Sequence, residues 1–147
     1  MGKPPFHLLL TCAGRKVSLV NQFRQAFDDL DIDGRIIGVD SSSHSAVLSV
    51  CDKSYIIPRC DHPAYVPTLL DVCERHRVQL LLPLIDVDLL VLAEHRARFR
   101  EAGTVALVSS LPVVSICRDK ESTSRFFDDN GIPTVRNLSV EDVRRGN

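Results

Sequence analysis

The sequence lacks an excess of charge of either sign. It has 18 lysine and arginine residues against 19 aspartate and glutamate residues, which gives a formal net charge of −1. Proteins that bind nucleic acid or an anionic membrane surface usually carry a basic excess or a basic patch. We therefore expect neither nucleic acid nor a membrane among the partners of this chain.

The cysteines lack the pairing of a disulfide framework or a metal site. There is no CxxC motif, and most of the five lie in apolar segments: Cys12, Cys51, Cys60, Cys73 and Cys117. Cys60 and His62 could be half of a metal site, but no second pair stands at ligand spacing. We predict structural thiols, no metal site and a reducing compartment.

No apolar run is long enough for a secretory leader or a membrane span. The N-terminal segment MGKPPFHLLLTCAG holds a single lysine and a short apolar stretch. With 147 residues, of which 44% are apolar, the chain can bury the core of one ordinary domain. These features predict a soluble cytoplasmic protein.

Several enzyme motifs are missing as well. There is no Walker lysine loop, no G-x-S-x-G elbow and no H-E-x-x-H pair, which argues against P-loop and common hydrolase classes. The turn Ala13-Gly14-Arg15-Lys16 has one glycine where a dinucleotide fingerprint needs three. Asp40 stands where such folds place a ribose-binding acid, but the missing glycines argue against NAD or FAD.

What the sequence does contain is a series of short apolar runs separated by helical periods. The runs are apolar throughout, as in strands buried on both faces of a parallel sheet: HLLLTC (7–12), GRIIGVD (34–40), KSYIIP (53–58), VQLLLP (78–83) and TVALVS (104–109). They predict a three-layer, doubly wound, Rossmann-like α/β domain. We expect a mostly parallel five-stranded sheet with strand order 3-2-1-4-5.

Two connections have a distinctive pattern. Residues 41–50, SSSHSAVLSV, supply only two or three helical turns between the second and third strands. After the fifth strand we predict a short helix over 112–118 and another from Lys120 to Asn130, with Asp119 as its N-cap and Gly131 as its left-handed end. Ser139 is a candidate N-cap for a final helical turn.

Cations stand where two helices are predicted to begin. Arg15 and Lys16 precede the first helix, and Lys120 opens the helix after Asp119. A cation in a first helical turn costs about 0.3–1 kcal/mol, whereas an anion there is favoured. A bound oxyanion would remove the conflict, and extension of the side chains into water is the simpler explanation. Both explanations remain open at this point.

Other polar residues have a structural explanation beside a functional one. Asp86 and Asp88 follow the fourth strand, where an N-cap accounts for at least one of them and paired carboxylates for acid–base chemistry are the alternative. The three serines at 41–43 favour a cap or turn over a ligand site. His95 lies on a polar helix face, and we expect it in solvent.

Three segments taken together resemble one family. They are LLLTCAGRKVSLV (8–20), LLLPLIDVDLLVLAEHR (80–96) and SSLPVVSICRDKESTSRFFDDNGIPT (109–134). The set resembles the N-terminal domain that precedes the catalytic body of ATP-grasp ligases, particularly carbamoyl-phosphate-synthase-like members. The most specific part is I-C-x-D-K followed by a helix that ends in N-G-I-P-T.

The resemblance implies a function. Members of that family join a carboxylate to an amine through an acyl phosphate made from ATP and Mg²⁺. Lys120 matches the basic residue that reaches the nucleotide phosphates, and Gly14, Arg15, Asp40 and Asp86 fall at strand ends that face the co-substrate cleft. The resemblance assigns no catalytic residue to this chain.

The resemblance also implies that this chain is incomplete as an enzyme. Residues 1–133 correspond to the pre-ATP-grasp domain and 134–147 to the start of a linker or ATP-grasp domain. The expected partners are an ATP-grasp domain of the same polypeptide, a small carboxylate substrate and a second copy in a homo-oligomer. A stand-alone ligand-binding or regulatory module is the alternative. Neither the substrate nor the nucleophile can be identified from the sequence.

Overall fold

The computed structural model describes residues 5–135, 138 and 143–146. These residues form two compact units, 1–109 and 110–147. The first unit carries the sheet, and the second carries two helices. The predicted domain boundary at residue 133 falls inside the second unit and stays a prediction.

The first unit is built on a five-stranded parallel sheet. Its strands are β1 (Phe6–Thr11), β2 (Gly34–Asp40), β3 (Lys53–Ile56), β4 (Leu80–Pro83) and β5 (Val105–Ala106). Their order is β3-β2-β1-β4-β5, and each neighbouring pair is parallel. The predicted α/β class and strand order are both confirmed.

Strand β1 lies at the centre of the sheet because it is apolar on both faces. Leu8, Leu9 and Leu10 are completely buried, although consecutive residues of a strand point to opposite faces. Ile36 and Ile37 in β2 are buried in the same way. An alternating strand would have exposed one face, so the continuous apolar runs place helices on both sides of the sheet.

Four helices belong to this unit: α1 (Val17–Asp29), α2 (Tyr65–His76), α3 (Leu89–Glu94) and α4 (Arg96–Glu101). The segment between β2 and β3 is shorter than predicted, since it forms a single 3₁₀ turn over Ala46–Ser49. The apolar period after β4 predicts one helix, but the structure has two, α3 and α4, which are separated at His95. There the half-buried imidazole, which we expected in solvent, lies 2.9 Å from the Val91 carbonyl oxygen.

The second unit contains α5 (Leu111–Arg118) and α6 (Lys120–Asp129). Asp119 caps α6 as predicted, because its Oδ1 accepts a hydrogen bond from the Ser122 amide at 2.7 Å. Gly131 follows with a φ of 65°, the predicted left-handed conformation. The proposed cap at Ser139 lies outside the described residues.

The parallel arrangement brings the carboxyl ends of all the strands to one edge of the sheet. The loops after β1, β2, β3 and β4 therefore meet at that edge, and α1, α2 and α3 follow those loops. In open α/β sheets this edge is where ligands bind. Within the described residues, no helix has the length and apolar character needed to cross a membrane.

Candidate functional site

A cavity of about 410 Å³ opens at the carboxyl ends of the strands. We call it the strand-end cavity. Its polar lining comes from the loops after β1, β2 and β3: Cys12, Gly14, Asp40, Ser41, Arg59 and Cys60. Its apolar lining comes from the approach to α2 and from the loop after β4: Ile57, Pro58, Tyr65, Ile85 and Val87. This volume lies within the usual range for small-molecule sites.

The Gly14 turn forms part of the cavity wall and is held in place by Asp40. Gly14 has a φ of 53°, which is a left-handed conformation that costs a residue with a Cβ atom free energy. Asp40 Oδ2 accepts a hydrogen bond from the Gly14 amide at 3.1 Å, and its Oδ1 accepts one from the Ser42 amide at 3.0 Å. One carboxylate therefore ties the end of β2 to the loop after β1.

The other side of the turn is fixed by the segment after β2. The Ser45 hydroxyl donates to the Gly14 carbonyl oxygen at 3.0 Å, and the Val47 amide donates to the same oxygen at 3.2 Å. The Gly14 amide and carbonyl oxygen thus both have partners from other segments of the chain, at the end of β2 and in the segment that follows it. The turn is preorganised without a ligand, which lowers the free-energy cost of binding.

The sequence predicts an N-cap at Asp86, at Asp88 or at both, and Asp88 has a different role in the structure. It is completely buried, and no side-chain cap bond forms at the start of α3. Its Oδ2 accepts hydrogen bonds from the Thr11 hydroxyl at 2.6 Å and from the Tyr65 hydroxyl at 2.9 Å. Two buried hydroxyl groups satisfy this oxygen better than one backbone amide would, so the side chain turns towards β1.

One oxygen of Asp88 remains without a partner among the described residues. Its Oδ1 is buried and accepts no hydrogen bond from them. Asp88 does not line the strand-end cavity, but Tyr65, which donates to it, does. A buried acceptor without a donor is costly, so this oxygen is a place where a water or a ligand donor would stabilise the structure.

The electrostatics of the cavity favour neutral hydroxyl and thiol groups. Burial, reinforced by the charges of Asp88 and Asp40, raises the pKa of the Cys12 thiol to about 12. Burial and the Asp88 charge also raise the pKa of Tyr65. A thiol with such a pKa is protonated at neutral pH, which excludes Cys12 as a thiolate nucleophile.

The five residues that the sequence singled out have different positions. Gly14 and Asp40 line the strand-end cavity. Arg15 and Asp86 are exposed and are not among its lining residues. Lys120 belongs to the second unit, where it begins α6 directly after the capping residue Asp119.

The start of α1 offers little of the anion site that its cations suggested. Lys16 is the N-cap residue, and no acidic residue lies in the first turn. The Lys16, Val17 and Leu19 amides donate to carbonyl oxygens of the turn itself, at 3.0, 2.9 and 3.1 Å. An anion at this helix end would have to compete with those bonds.

Two features of the site escaped the sequence interpretation. The arginine that lines the strand-end cavity is Arg59, not Arg15, and it forms an exposed ion pair with Asp61 at 3.3 Å. The buried trio of Thr11, Tyr65 and Asp88 was also missed. A threonine at the end of an otherwise leucine-rich strand was the available signal, because a buried hydroxyl needs a partner.

The described residues contain no cluster of three or more His, Cys, Asp or Glu side chains that could hold a metal ion. The cavity walls thus provide hydrogen-bonding groups and one cation, Arg59, without a set of metal ligands. This arrangement can bind and orient a small polar molecule. It lacks the metal clamp that phosphoryl transfer requires.

Two solved structures with the same fold clarify how much of a larger protein this chain represents. One is the biotin carboxylase domain of Hydrogenobacter thermophilus 2-oxoglutarate carboxylase, with a TM-score of 0.63 and 16% identity over 97% of this chain and 32% of that chain. The other is N5-carboxyaminoimidazole ribonucleotide synthetase from Thermotoga maritima, with a TM-score of 0.60 and 16% identity over 95% of this chain and 36% of that chain. This chain spans about a third of each.

Among curated proteins, none matches this chain significantly. The profile of one domain family does match, and its description is PylC-like, N-terminal domain. The match covers residues 8–108, which include β2 to β5, most of β1 and the strand-end cavity. It confirms the resemblance to the N-terminal domain of ATP-grasp ligases. The chain belongs to the PylC-like N-terminal domain family.

Proposed function

We propose that this chain is the substrate-binding wall of an ATP-grasp ligase that joins a carboxylate to an amine. The observation that carries the proposal is the strand-end cavity, which lies within the part of the chain that matches the PylC-like family. The edge formed by the carboxyl ends of parallel strands is where this class of sheet binds ligands. The chain spans about a third of its structural neighbours, so the catalytic body would be a separate part of the protein.

The cavity has groups suited to a small carboxylate substrate. Arg59 supplies a positive charge, and the Gly14 turn is rigid before ligand arrives. Tyr65 is held by Asp88 and presents its ring to the cavity. In this proposal Arg59 binds the substrate carboxylate, Asp40 keeps the turn in place, and Arg15 and Asp86 contact only a ligand that extends beyond the cavity.

ATP and Mg²⁺ would be used by the complete protein. The Hydrogenobacter thermophilus neighbour was crystallised as a complex with MgADP and bicarbonate, which supports this pair of cofactors for the fold. The described residues offer no cluster of metal ligands, so Mg²⁺ would be held by the ATP-grasp domain. Lys120 is our candidate for the contact with the nucleotide phosphates.

The proposed partners follow from the comparison with structural neighbours that are about three times as long as this chain. An ATP-grasp domain of the same polypeptide would close the cleft, and a homo-oligomer is consistent with the dimer described for the Hydrogenobacter thermophilus neighbour. All five cysteines are free, which fits a cytoplasmic location.

The proposal is tested in the protein that contains this chain together with its ATP-grasp domain. ADP release is measured with a panel of carboxylates and amines at saturating Mg²⁺, for the parent protein and for Lys120→Ala. We expect carboxylate-dependent ADP release, and a loss of at least tenfold in kcat/KM for ATP in the variant, because one phosphate contact is removed.

Arg125→Ala is the matched control, since it removes another cation from the same helix α6. Its kinetics should remain close to those of the parent. Equal kinetics in Lys120→Ala and the parent would refute the role of Lys120. Absence of any carboxylate-dependent ADP release would instead favour a ligand-binding or regulatory module.

A further inference from the structure

A second cavity lies at the opposite end of the sheet in the first unit. Its volume is about 190 Å³, and it is lined by His7, Arg35, Ile37, Arg75, His76 and Arg77. His7 and Arg35 are register partners at the beginning of β1 and β2. Arg75 and His76 are the last residues of α2, and Arg77 is its C-cap. We call this second cavity the amino-end cavity. It shares no lining residue with the strand-end cavity.

Every polar side chain that lines the amino-end cavity is an arginine or a histidine. Arg75 forms an ion pair with Asp71 one turn earlier in α2. Arg35 and Arg77 form no salt bridge with any residue that the structure describes. The negative end of the α2 dipole favours cations at its last turn, but it does not explain the contributions of β1 and β2.

The two histidines experience this positive charge. Burial and the charge of Arg35 lower the pKa of His7, while Asp33 acts in the opposite direction. Burial lowers the pKa of His76, and so do the charges of Arg75, Lys53, His7 and Arg35. Among the described residues, Asp33 is the acid whose charge opposes the cations at His7, and Asp71 pairs with Arg75.

The hydrogen bonds of the two rings differ. His76 Nε2 lies 2.6 Å from the Tyr55 hydroxyl. His7 Nδ1 is buried and has no partner among the described residues. Because His7 lines the cavity, protonation of its ring would add positive charge beside a bound anion.

We propose that the amino-end cavity binds a phosphate-type oxyanion, either free phosphate or the terminal phosphoryl group of a nucleotide. Its size supports a small tetrahedral ligand. A volume of 190 Å³ is several times the roughly 30 Å³ that one water occupies in the liquid, but it is below the roughly 300 Å³ at which sites for drug-sized ligands begin. Arginine forks bind such oxyanions through paired hydrogen bonds.

Binding would be linked to proton uptake by the two histidines. A bound dianion opposes the effect of Arg35, Arg75 and Lys53, so the pKa of His7 and His76 should rise in its presence. The site is distinct from the proposed cleft for ATP and carboxylate. It is therefore suited to sensing phosphate rather than to turning it over.

The experiment is a histidine NMR titration of the 147-residue chain against inorganic phosphate, with chloride keeping the ionic strength constant. His7→Gln and His76→Gln identify the two signals. We expect saturable shifts and a rise of about 1 pH unit in the pKa of both histidines. The exposed His44 is the internal control, and its signals should not respond to phosphate in a saturable way.

Two variants separate lost binding from lost folding. Arg77 has a φ of 50°, a left-handed conformation in which glycine is less strained, so Arg77→Gly removes the cation while the fold is kept or stabilised. Arg35→Gln removes the second cation that lacks a salt bridge. Each should weaken phosphate binding at least tenfold, and the exposed Arg118→Gln should leave it unchanged.

Each remaining outcome has a defined meaning. If ADP displaces phosphate and binds more tightly than phosphate does, the natural ligand is the phosphoryl group of a nucleotide. If ADP does not compete with phosphate, the natural ligand is free phosphate. Shifts that do not saturate, or that survive equally in Arg77→Gly, Arg35→Gln and Arg118→Gln, would overturn the proposal.

Discussion

Thr11 donates its hydroxyl to Asp88 Oδ2 at 2.6 Å, although the two residues are 77 positions apart in the chain. Both side chains are completely buried. The bond joins the end of β1 to the segment after β4, and Tyr65 adds a second hydroxyl from the start of α2. The Asp88 carboxylate therefore connects three segments around the strand-end cavity: the end of β1, the start of α2 and the segment after β4.

We expect Asp88→Ala to lower the free energy of unfolding by about 2–4 kcal/mol, because two buried hydroxyl groups lose their acceptor. Urea denaturation followed by circular dichroism measures this change. Tyr65→Phe alone should cost about 1 kcal/mol. In a double-mutant cycle the two changes should couple by about 1 kcal/mol, since they share one hydrogen bond. Additive effects would mean that the Tyr65 bond contributes nothing.

Asp40→Ala is expected to lower the free energy of unfolding by about 1–2 kcal/mol, because the Gly14 and Ser42 amides lose their acceptor. Asp86→Ala is the matched control: this exposed carboxylate follows another strand, and its loss should change stability by less than about 0.5 kcal/mol. Chemical denaturation of both variants measures the difference. Equal effects would show that Asp40 does not hold the turn.

Cysteine reactivity should follow burial. Burial raises the pKa of Cys12 to about 12 and that of Cys51 and Cys73 to about 11, whereas Cys117 is exposed. We expect a thiol reagent at pH 7.5 to label Cys117 rapidly, and the three buried or half-buried thiols only after denaturant is added. In a Cys60→Ser background, which removes the half-buried fifth thiol, Cys117→Ser should remove the fast phase. Rapid labelling of Cys12 in that variant would contradict the neutral thiol described here.

Stability should depend on the two histidines of the amino-end cavity. Their pKa in the folded protein lies below the ordinary value of 6.5, so the unfolded chain binds more protons as the pH falls. The stability is present above pH 6.5 and is lost as the pH drops below that value. In phosphate-free buffer, a His7→Gln and His76→Gln double variant should lose less stability between pH 7 and pH 5.

Thermal unfolding across that range measures the effect, and His44→Gln serves as the control because that ring is exposed. Hydrogen bonds from Ser122 hold the pKa of Asp119 below the ordinary value of 3.8. This carboxylate therefore stays ionised between pH 7 and pH 5. Titration of Asp119 should contribute little to the difference. A parent-like pH dependence in the double variant would rule out these rings as its source.

Part of the candidate site was predictable and part was not. Gly14 and Asp40 line the strand-end cavity, and a glycine turn and a strand-end acid have a local sequence pattern; their role in substrate binding stays a prediction. Asp88 was one of two candidate caps, beside Asp86, because residues after a strand and before a helix usually serve there. Its real partners, Thr11 and Tyr65, come from other elements, and no local pattern records such a bond.

The sequence by itself determined the α/β class and the caps of α6, because apolar periodicity and turn residues act over a few positions. Only the tertiary structure decided that Arg59 lines the strand-end cavity while Arg15 does not, and that His7 meets Arg35 and His76 at the other end of the sheet. Charge and burial at those places depend on side chains brought together from separate strands and helices. Their effect on function is therefore set by the fold rather than by any one segment.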